Sequence, residues 1–241
     1  MKRLNYSWEL PQAITDRLGP NTYGSQRNIF EEDHLLIILH DLPSFEKNER
    51  EHRVFWIRAD QEIWCNGQSN GKFELHALLG RYQKQFDSLE TGIDKAKKAK
   101  EFFSVLEQLV PIHRSMKNLA KTLKESRTML EHNNYILEMR DWAVDLQRNY
   151  EVLLADGKLA LEFRIAQKTE EQVVKADHAL NAQNKLNTIA AFTFPLMALA
   201  AVFGMNLVHG LETQPTHVFW GVLLGGLAIG FLVKKWLFRK I

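Results

Sequence analysis

The chain has 241 residues, with 31 lysines and arginines against 29 acids and a formal net charge of +2. That balance excludes the strongly basic footprint of a nucleic-acid binder. The single cysteine, Cys65, excludes an intramolecular disulfide framework and a cysteine-based zinc finger. A mean hydropathy of −0.28 resembles that of a soluble protein, but it averages two populations.

Residues 1–72 read as a small cytosolic α/β domain. The first twelve residues, MKRLNYSWELPQ, have a basic start but no apolar core segment, so no signal peptide is expected. Residues 34–41 (HLLIILHD) form a short apolar run ended by Pro43, strand-like in length and β-branched content. Residues 53–57 (RVFWI) and 62–65 (EIWC) are two further candidate strands. Asn66-Gly67 and Asn70-Gly71 are strong turn signals after them.

Residues 73–185 read as a cytosolic helical stalk domain. One helix is expected over 73–89, stopped near Gly92. Asp94 would cap a second, with Phe102, Leu106, Leu109 and Ile112 at three- and four-residue spacing and a kink at Pro111. A third begins near His132 and meets no proline before Pro195. Trp142, Leu146, Tyr150, Leu153, Ala160, Phe163, Val173 and Leu180 trace an apolar stripe through otherwise charged sequence. Unbroken to Phe203, this helix would have about 70 residues and a length of roughly 105 Å. Gly157 costs it about 1 kcal/mol without stopping it. Such a helix must pack in a bundle, against its own neighbours or against other subunits.

Residues 186–241 form the third part. Between Lys185 and Lys234 there is no lysine or arginine, and Glu212 is the only acid. The block holds two apolar runs, 189–203 and 218–233, joined by a polar link. With their flanks they reach the length that spans about 30 Å of hydrocarbon, a first span over about 186–205 and a second over about 217–236. A soluble helical hairpin seldom goes two full spans without one basic residue, so a membrane protein is expected. The 185 residues before the first span carry 27 bases, and Lys234, Lys235, Arg239 and Lys240 follow the second. The link, 206–216, has none. Both termini are then cytoplasmic, the link faces out, and Cys65 lies in a reducing compartment.

The two spans differ in polarity. Asn184, Asn187, Thr188, Thr193 and Asn206 mark the first and its approach, whereas the second carries only Trp220. Polar groups in a bilayer face a bundle interior or a water path, which puts the first span inside and the second against lipid. Gly221, Gly225, Gly226 and Gly230 give the second span small-xxx-small spacings suited to close helix contact. Two helices cannot enclose a pathway, so a pore requires a homo-oligomer with first spans lining it.

Gly204-Met205-Asn206 follows an apolar helix with a central proline and precedes a short loop with an acid. This resembles the CorA family of magnesium channels. The run NKLNTIA over 184–190 is similar to that family's entry into the first span, and Lys234-Lys235-Trp236-Leu237 resembles its tail. Glu212 falls where the family carries a loop glutamate, although His209-Gly210-Leu211 replace the residues before it and the proline is missing. The resemblance is dense over about 180–241, diffuse over the stalk and only one of class in the first 90 residues.

It implies an α+β fold assembled as a homopentameric funnel, with Gly204, Met205 and Asn206 forming the outer mouth of a central pore. A ring of asparagine amides can bind hydrated magnesium through its waters. Asn206 also reads as a helix C-cap, and the two roles are compatible. The family register places Met197, Phe194, Ala190, Asn187, Leu186, Gln183 and Leu180 along the pore. Phe194 or Leu186 could gate by dewetting, or could simply pack. Pro195 frees the Ala191 carbonyl, as a pore oxygen or merely as a kink.

Glu212 would concentrate cations at the mouth, or be a solvated loop acid. His209 and His217 beside it are too few for a zinc site on a flexible loop. Asp141 and Asp145, one turn apart, fall where the family carries acids that bind regulatory magnesium between subunits, although solvated acids would look the same. Lys95, Lys97, Lys98 and Lys100 face the inner leaflet, the stalk acids or, most simply, solvent. No phosphate loop, triad or paired acids in an apolar cleft suggests an enzyme.

The expectation is a pentameric channel of the cell inner membrane, in contact with lipid and divalent cations and not with nucleic acid. It would carry Mg2+ inward on about 4.6 kcal/mol per 100 mV of potential. Transport of Zn2+, Co2+ or Ni2+ on the same fold is the second reading, and Met205 disfavours the zinc branch. A membrane-anchored coiled-coil scaffold without flux is the third.

Overall fold

The computed structural model describes residues 6–43, 51–204 and 216–237. The chain divides into two compact units, 1–166 and 167–241.

The first unit is built on an antiparallel meander of four strands in the order β1-β2-β3-β4. These are β1 (Arg27–Glu31), β2 (His34–His40), β3 (His52–Ile57) and β4 (Ile63–Cys65). The three expected strands are present, and β1 is an addition. Its sequence, RNIFE, has only two apolar residues between charges, too short a pattern to stand out. Strand β2 reads as a continuous apolar run because both of its faces are covered. Leu35, Ile37 and Leu39 join Phe55 and Ile57 against the helices. Leu36 and Ile38 join Val54 and Trp56 against the N-terminal segment, where Ile14, Leu18 and Tyr23 close the second face. A short helix, α1 (Gln12–Thr15), carries Ile14 into that layer.

The turns follow from local chemistry. Asn66 and Gly67 both have positive φ, and Cys65 and Gln68 exchange backbone hydrogen bonds of 2.7 and 2.9 Å across them. This is the two-residue turn that asparagine-glycine predicts. The Asn66 Oδ1 also accepts the Val54 N–H at 2.9 Å, tying the turn to β3. Asn70-Gly71 is not a turn of this kind, since Gly71 opens helix α2 (Gly71–Lys95). Glycine is required there by space: a Cβ would lie 2.6 Å from the Ile63 carbonyl oxygen.

Helix α2 does not stop at Gly92 and ends at Lys95, so Asp94 lies inside it and caps nothing. Helix α3 (Ala99–Met129) starts instead on Glu101, whose carboxylate accepts the N–H groups of Lys97 and Lys98 at 2.8 and 3.1 Å. It runs through Pro111 as one helix. Helix α4 (Asn134–Gly204) is continuous over 71 residues, as its sequence led one to expect. Its start is capped by Asn133, whose Oδ1 accepts the Ile136 N–H at 3.0 Å.

The bundle core is drawn from one stripe of each helix: Leu75, Leu79, Tyr82 and Phe86 of α2, Leu109, Met116 and Leu123 of α3, and Ile136, Met139, Leu146 and Tyr150 of α4. Two tyrosine hydroxyls inside it are paired. The Tyr82 hydroxyl lies 2.8 Å from Ser115 Oγ, and the Tyr150 hydroxyl donates to the Tyr82 carbonyl at 2.7 Å. Gly157 lets α4 pass close to its neighbours. A Cβ there would sit 2.9 Å from a Leu106 methyl and 3.0 Å from an Ile93 methyl. Its cost in helix propensity is offset by close packing.

At the sheet edge of α2, Asp41 accepts hydrogen bonds from Arg53 Nε at 3.0 Å, from Arg81 Nε and Nη2 at 3.1 and 3.0 Å, and from the Leu42 N–H at 2.8 Å. Burial pushes its carboxyl up, but the Leu42 N–H and the guanidiniums of Arg81 and Arg53 outweigh it and hold the group below its ordinary range. Cys65, on the opposite strand, is 2% exposed. Burial pushes its thiol up to about 12.

The second unit contains the rest of α4 and helix α5 (Thr216–Leu237). Gly226 of α5 faces Leu196 and Leu199, and Gly230 faces the Ala191 carbonyl and Phe192. Contacts that move back along α4 as α5 advances make the pair antiparallel. Two glycines four residues apart share one face, and their missing side chains bring the helices together. Gly221 and Gly225 point to open space.

Candidate ion-conduction site

Helix α4 contains one stretch long and apolar enough to cross a membrane by length and composition, and α5 has a shorter apolar stretch, His217–Leu232. The α4–α5 contact decides which side of α4 is left open. Ala191 is 7% exposed beneath α5, and Phe192, Leu196 and Leu199 flank it. Two residues along a helix is about 200° of rotation, so Phe194 and Met197 lie across the helix from Phe192 and Leu199. Both are uncovered, Phe194 at 68% exposure. Leu180, Gln183, Leu186 and Asn187 are also exposed, and Ala190 is half-buried. The seven residues expected along a pore therefore all lie on α4, with six of them exposed in the single chain.

Every residue over 165–187 is exposed, and the register that continues the Phe194 side through this stretch can be followed along the helix. Val152, Leu159, Ala166, Val173, Leu180, Asn187, Phe194 and Ala201 follow one another at intervals of seven. The apolar stripe read from sequence is thus two stripes. Its first part, Trp142 to Leu153, packs inside the first unit, whereas Phe163, Val173 and Leu180 are exposed. The division arises because the 3.6-residue helix presents a different face once its partners α2 and α3 end.

Gly204 is the last residue of α4 and is exposed. Met205, Asn206, His209 and Glu212 lie outside the described residues. His217 is exposed near the start of α5. Pro195 is half-buried within an unbroken helix. Asp141 and Asp145 are both exposed on α4, and Arg140 Nε approaches Asp141 Oδ1 at 2.9 Å. Among the described residues, no group of three or more His, Cys, Asp or Glu side chains could hold a metal ion. One feature of the site escaped the sequence reading: Lys234 places its ammonium 5.8 Å over the Phe192 ring. Its signal was the glycine spacing, which fixes the pairing of α5 with α4.

No protein-family model matches the chain. Among solved structures, full-length CmaX aligns with a TM-score of 0.53 at 13% identity, covering 90% of this chain and 77% of that one. The ZntB cytoplasmic domain from Vibrio parahaemolyticus aligns with a TM-score of 0.51 at 11% identity, covering 67% and 80%. The chain has the CorA-type fold. A small antiparallel sheet with long helices is what it shares with these structures. A looser likeness, with a TM-score of 0.35 at 15% identity, extends to the CorA magnesium transporter from Methanocaldococcus jannaschii, too loose to bear on the CorA-type assignment. In sequence, a curated protein of Schizosaccharomyces pombe whose name proposes a metal ion transporter is 26% identical over 167 residues. That alignment covers 66% of this chain, which spans about a fifth of the relative's length.

Proposed function

We propose that the chain is one subunit of a homopentameric metal-ion channel, carrying divalent cations, Mg2+ first among them, across the cell inner membrane. The exposed seven-residue stripe of α4 carries this reading. A period of 3.5 residues per turn is what like helices need to wrap around a common axis. It begins in the first unit and continues without interruption into the apolar block. Copies of α4 meeting on that stripe would line an axial path with Leu180, Gln183, Leu186, Asn187, Ala190, Phe194 and Met197. The α5 helices, docked on the opposite side, would face lipid.

In this arrangement α4 and α5 are the two spans, with both termini cytoplasmic and the 206–216 loop outside. The path would open outward through Gly204, Met205 and Asn206, with Glu212 raising the local cation concentration. Asn206 amides would receive the ion through its water shell, and wide apolar rings at Phe194 would interrupt conduction when dewetted. Asp141 and Asp145, exposed on the lower part of α4, would bind a regulatory cation only together with groups of a second subunit. The likeness to metal-transporter structures in fold, and the name of the yeast relative, support metal transport over a scaffold without flux.

The test is cation uptake into proteoliposomes with a panel of Mg2+, Co2+, Ni2+ and Zn2+, with assembly measured by mass in detergent. Five times the 28.0 kDa chain is expected. Asn206→Ala should cut uptake at least about tenfold, equivalent to about 1.4 kcal/mol of barrier, while leaving the assembly intact. A monomer that transports, or an Asn206→Ala variant that transports normally, would refute the pore. Preference within the panel decides between magnesium and the other divalents.

A further inference from the structure

The cytosolic end of the α4–α5 seam gathers positive charge. Lys234 lies half-buried over the Phe192 ring at 5.8 Å, brought there by the close approach of α5 at Gly230. Lys235 follows it and is exposed. Lys185 is exposed on α4 seven residues before Phe192, two turns away on the same face and about 10 Å along the axis. Residues 186–191 between them carry no charge. Among the described residues no carboxylate pairs with Lys185, Lys234 or Lys235, and the four acids of the second unit stand elsewhere in the sequence: Asp177 two turns below Lys185 on α4, Glu170 and Glu171 about two turns further down, and Glu212 in the 206–216 link.

A lysine laid on an aromatic ring of an apolar run marks the edge of the hydrocarbon, because its ammonium remains in the polar layer while its stem covers apolar surface. The expected span begins at about residue 186, so Lys185 stands just outside it, and Lys234 ends the apolar run of α5 on the same side. Ammonium groups from both helices at this boundary, with Lys235 beside them and no carboxylate paired with any of the three among the described residues, suit an anion held where the hydrocarbon meets the polar layer. We propose that this end of the seam binds the phosphate of an anionic phospholipid of the inner leaflet, between Lys234 and Lys185, with Lys235 beside it. The inference rests on the reading of α4 and α5 as membrane spans.

The full-length chain is reconstituted into vesicles of equal phosphatidylglycerol and phosphatidylcholine, checked by flotation and extracted into neutral detergent. Retained lipid is then counted by native mass spectrometry. The wild type should retain phosphatidylglycerol in preference, and Lys185→Gln with Lys234→Gln should lower that preference about fivefold per lysine. Lys185→Arg with Lys234→Arg should keep it, and Lys168→Gln with Lys175→Gln, of equal charge but outside the seam, should not alter it. Millimolar inorganic phosphate should not displace the lipid. Equal retention of the two lipids, unchanged preference in the glutamine pair, an equal loss in the Lys168/Lys175 pair, or displacement by phosphate would overturn the site while leaving the spans in place. A chain that fails to float with the vesicles would overturn the membrane reading itself.

Discussion

Two glycines of α2 should respond in opposite directions to the same substitution. At Gly71 a Cβ would stand 2.6 Å from the Ile63 carbonyl oxygen and 2.7 Å from its carbon. Ordinary contact begins near 3.4 Å, so Gly71→Ala requires a backbone shift of roughly 0.8 Å between β4 and the first turn of the helix. Overpacking of this kind costs about 1–3 kcal/mol, more than the helix-propensity gain of up to about 1 kcal/mol. At Gly80, in the middle of the same helix, a Cβ meets nothing within 4 Å. Gly80→Ala should therefore gain nearly the full propensity difference, about 0.8–1 kcal/mol. Urea unfolding of the full-length protein in detergent, followed by tryptophan fluorescence, reads both, since Trp56 is 8% exposed in the adjoining sheet. The two midpoints should fall on opposite sides of the wild type. If Gly71→Ala stabilises as much as Gly80→Ala, the packing of β4 on α2 is wrong.

Gly230→Leu should separate α5 from α4, because the Ala191 carbonyl is 3.0 Å from the new Cβ and backbone cannot yield cheaply; uptake should be lost and limited proteolysis between the two helices accelerated. Val173→Glu places a carboxylate on the seven-residue stripe in every copy, and size-exclusion with mass detection should show the assembly falling to smaller species at low salt, partly restored as salt screens the repulsion. Asp41 is held below its ordinary 3.8 in the folded chain, so its contribution is complete above that value and is lost as pH falls through the lower, folded one. The stability gap between wild type and Asp41→Asn should be widest at neutral pH and should narrow below pH 3.8 in denaturant titrations.

The helices were legible because their apolar residues recur at a period of 3.6, and three of the strands because they are short apolar runs bounded by proline or turn signals. Strand β1 was not, since its neighbours in space supply most of its burial. The N-terminal layer was hidden too, although Leu10, Ile14 and Leu18 at four-residue spacing were its signal. Gly92 read as a helix stop and Asp94 as the N-cap of the next helix, both by local propensity, whereas packing of α2 against Val105 and the Glu101 cap settled the true ends. In the apolar C-terminal block, four glycines were equivalent as sequence. Only helix pairing distinguishes Gly226 and Gly230 from Gly221 and Gly225. The placement of Phe194 and Met197 on one side of α4 came from the family register carried along at helical spacing, and both side chains are exposed on the single chain, where burial gives no mark of them.

Burial of the single thiol has a practical meaning. Cys65 sits under α2 with its ionisation pushed up to about 12, so at neutral pH it offers neither access nor thiolate to an alkylating reagent. Its silence in whole cells would therefore say nothing about which side of a bilayer it occupies. The same silence makes the native chain a blank background for cysteine scanning. A reporter thiol introduced at Thr213, at Phe194 or along the lysine end of the seam could be read chemically without first removing anything, and sidedness, pore access and lipid contact become measurable in one unaltered framework.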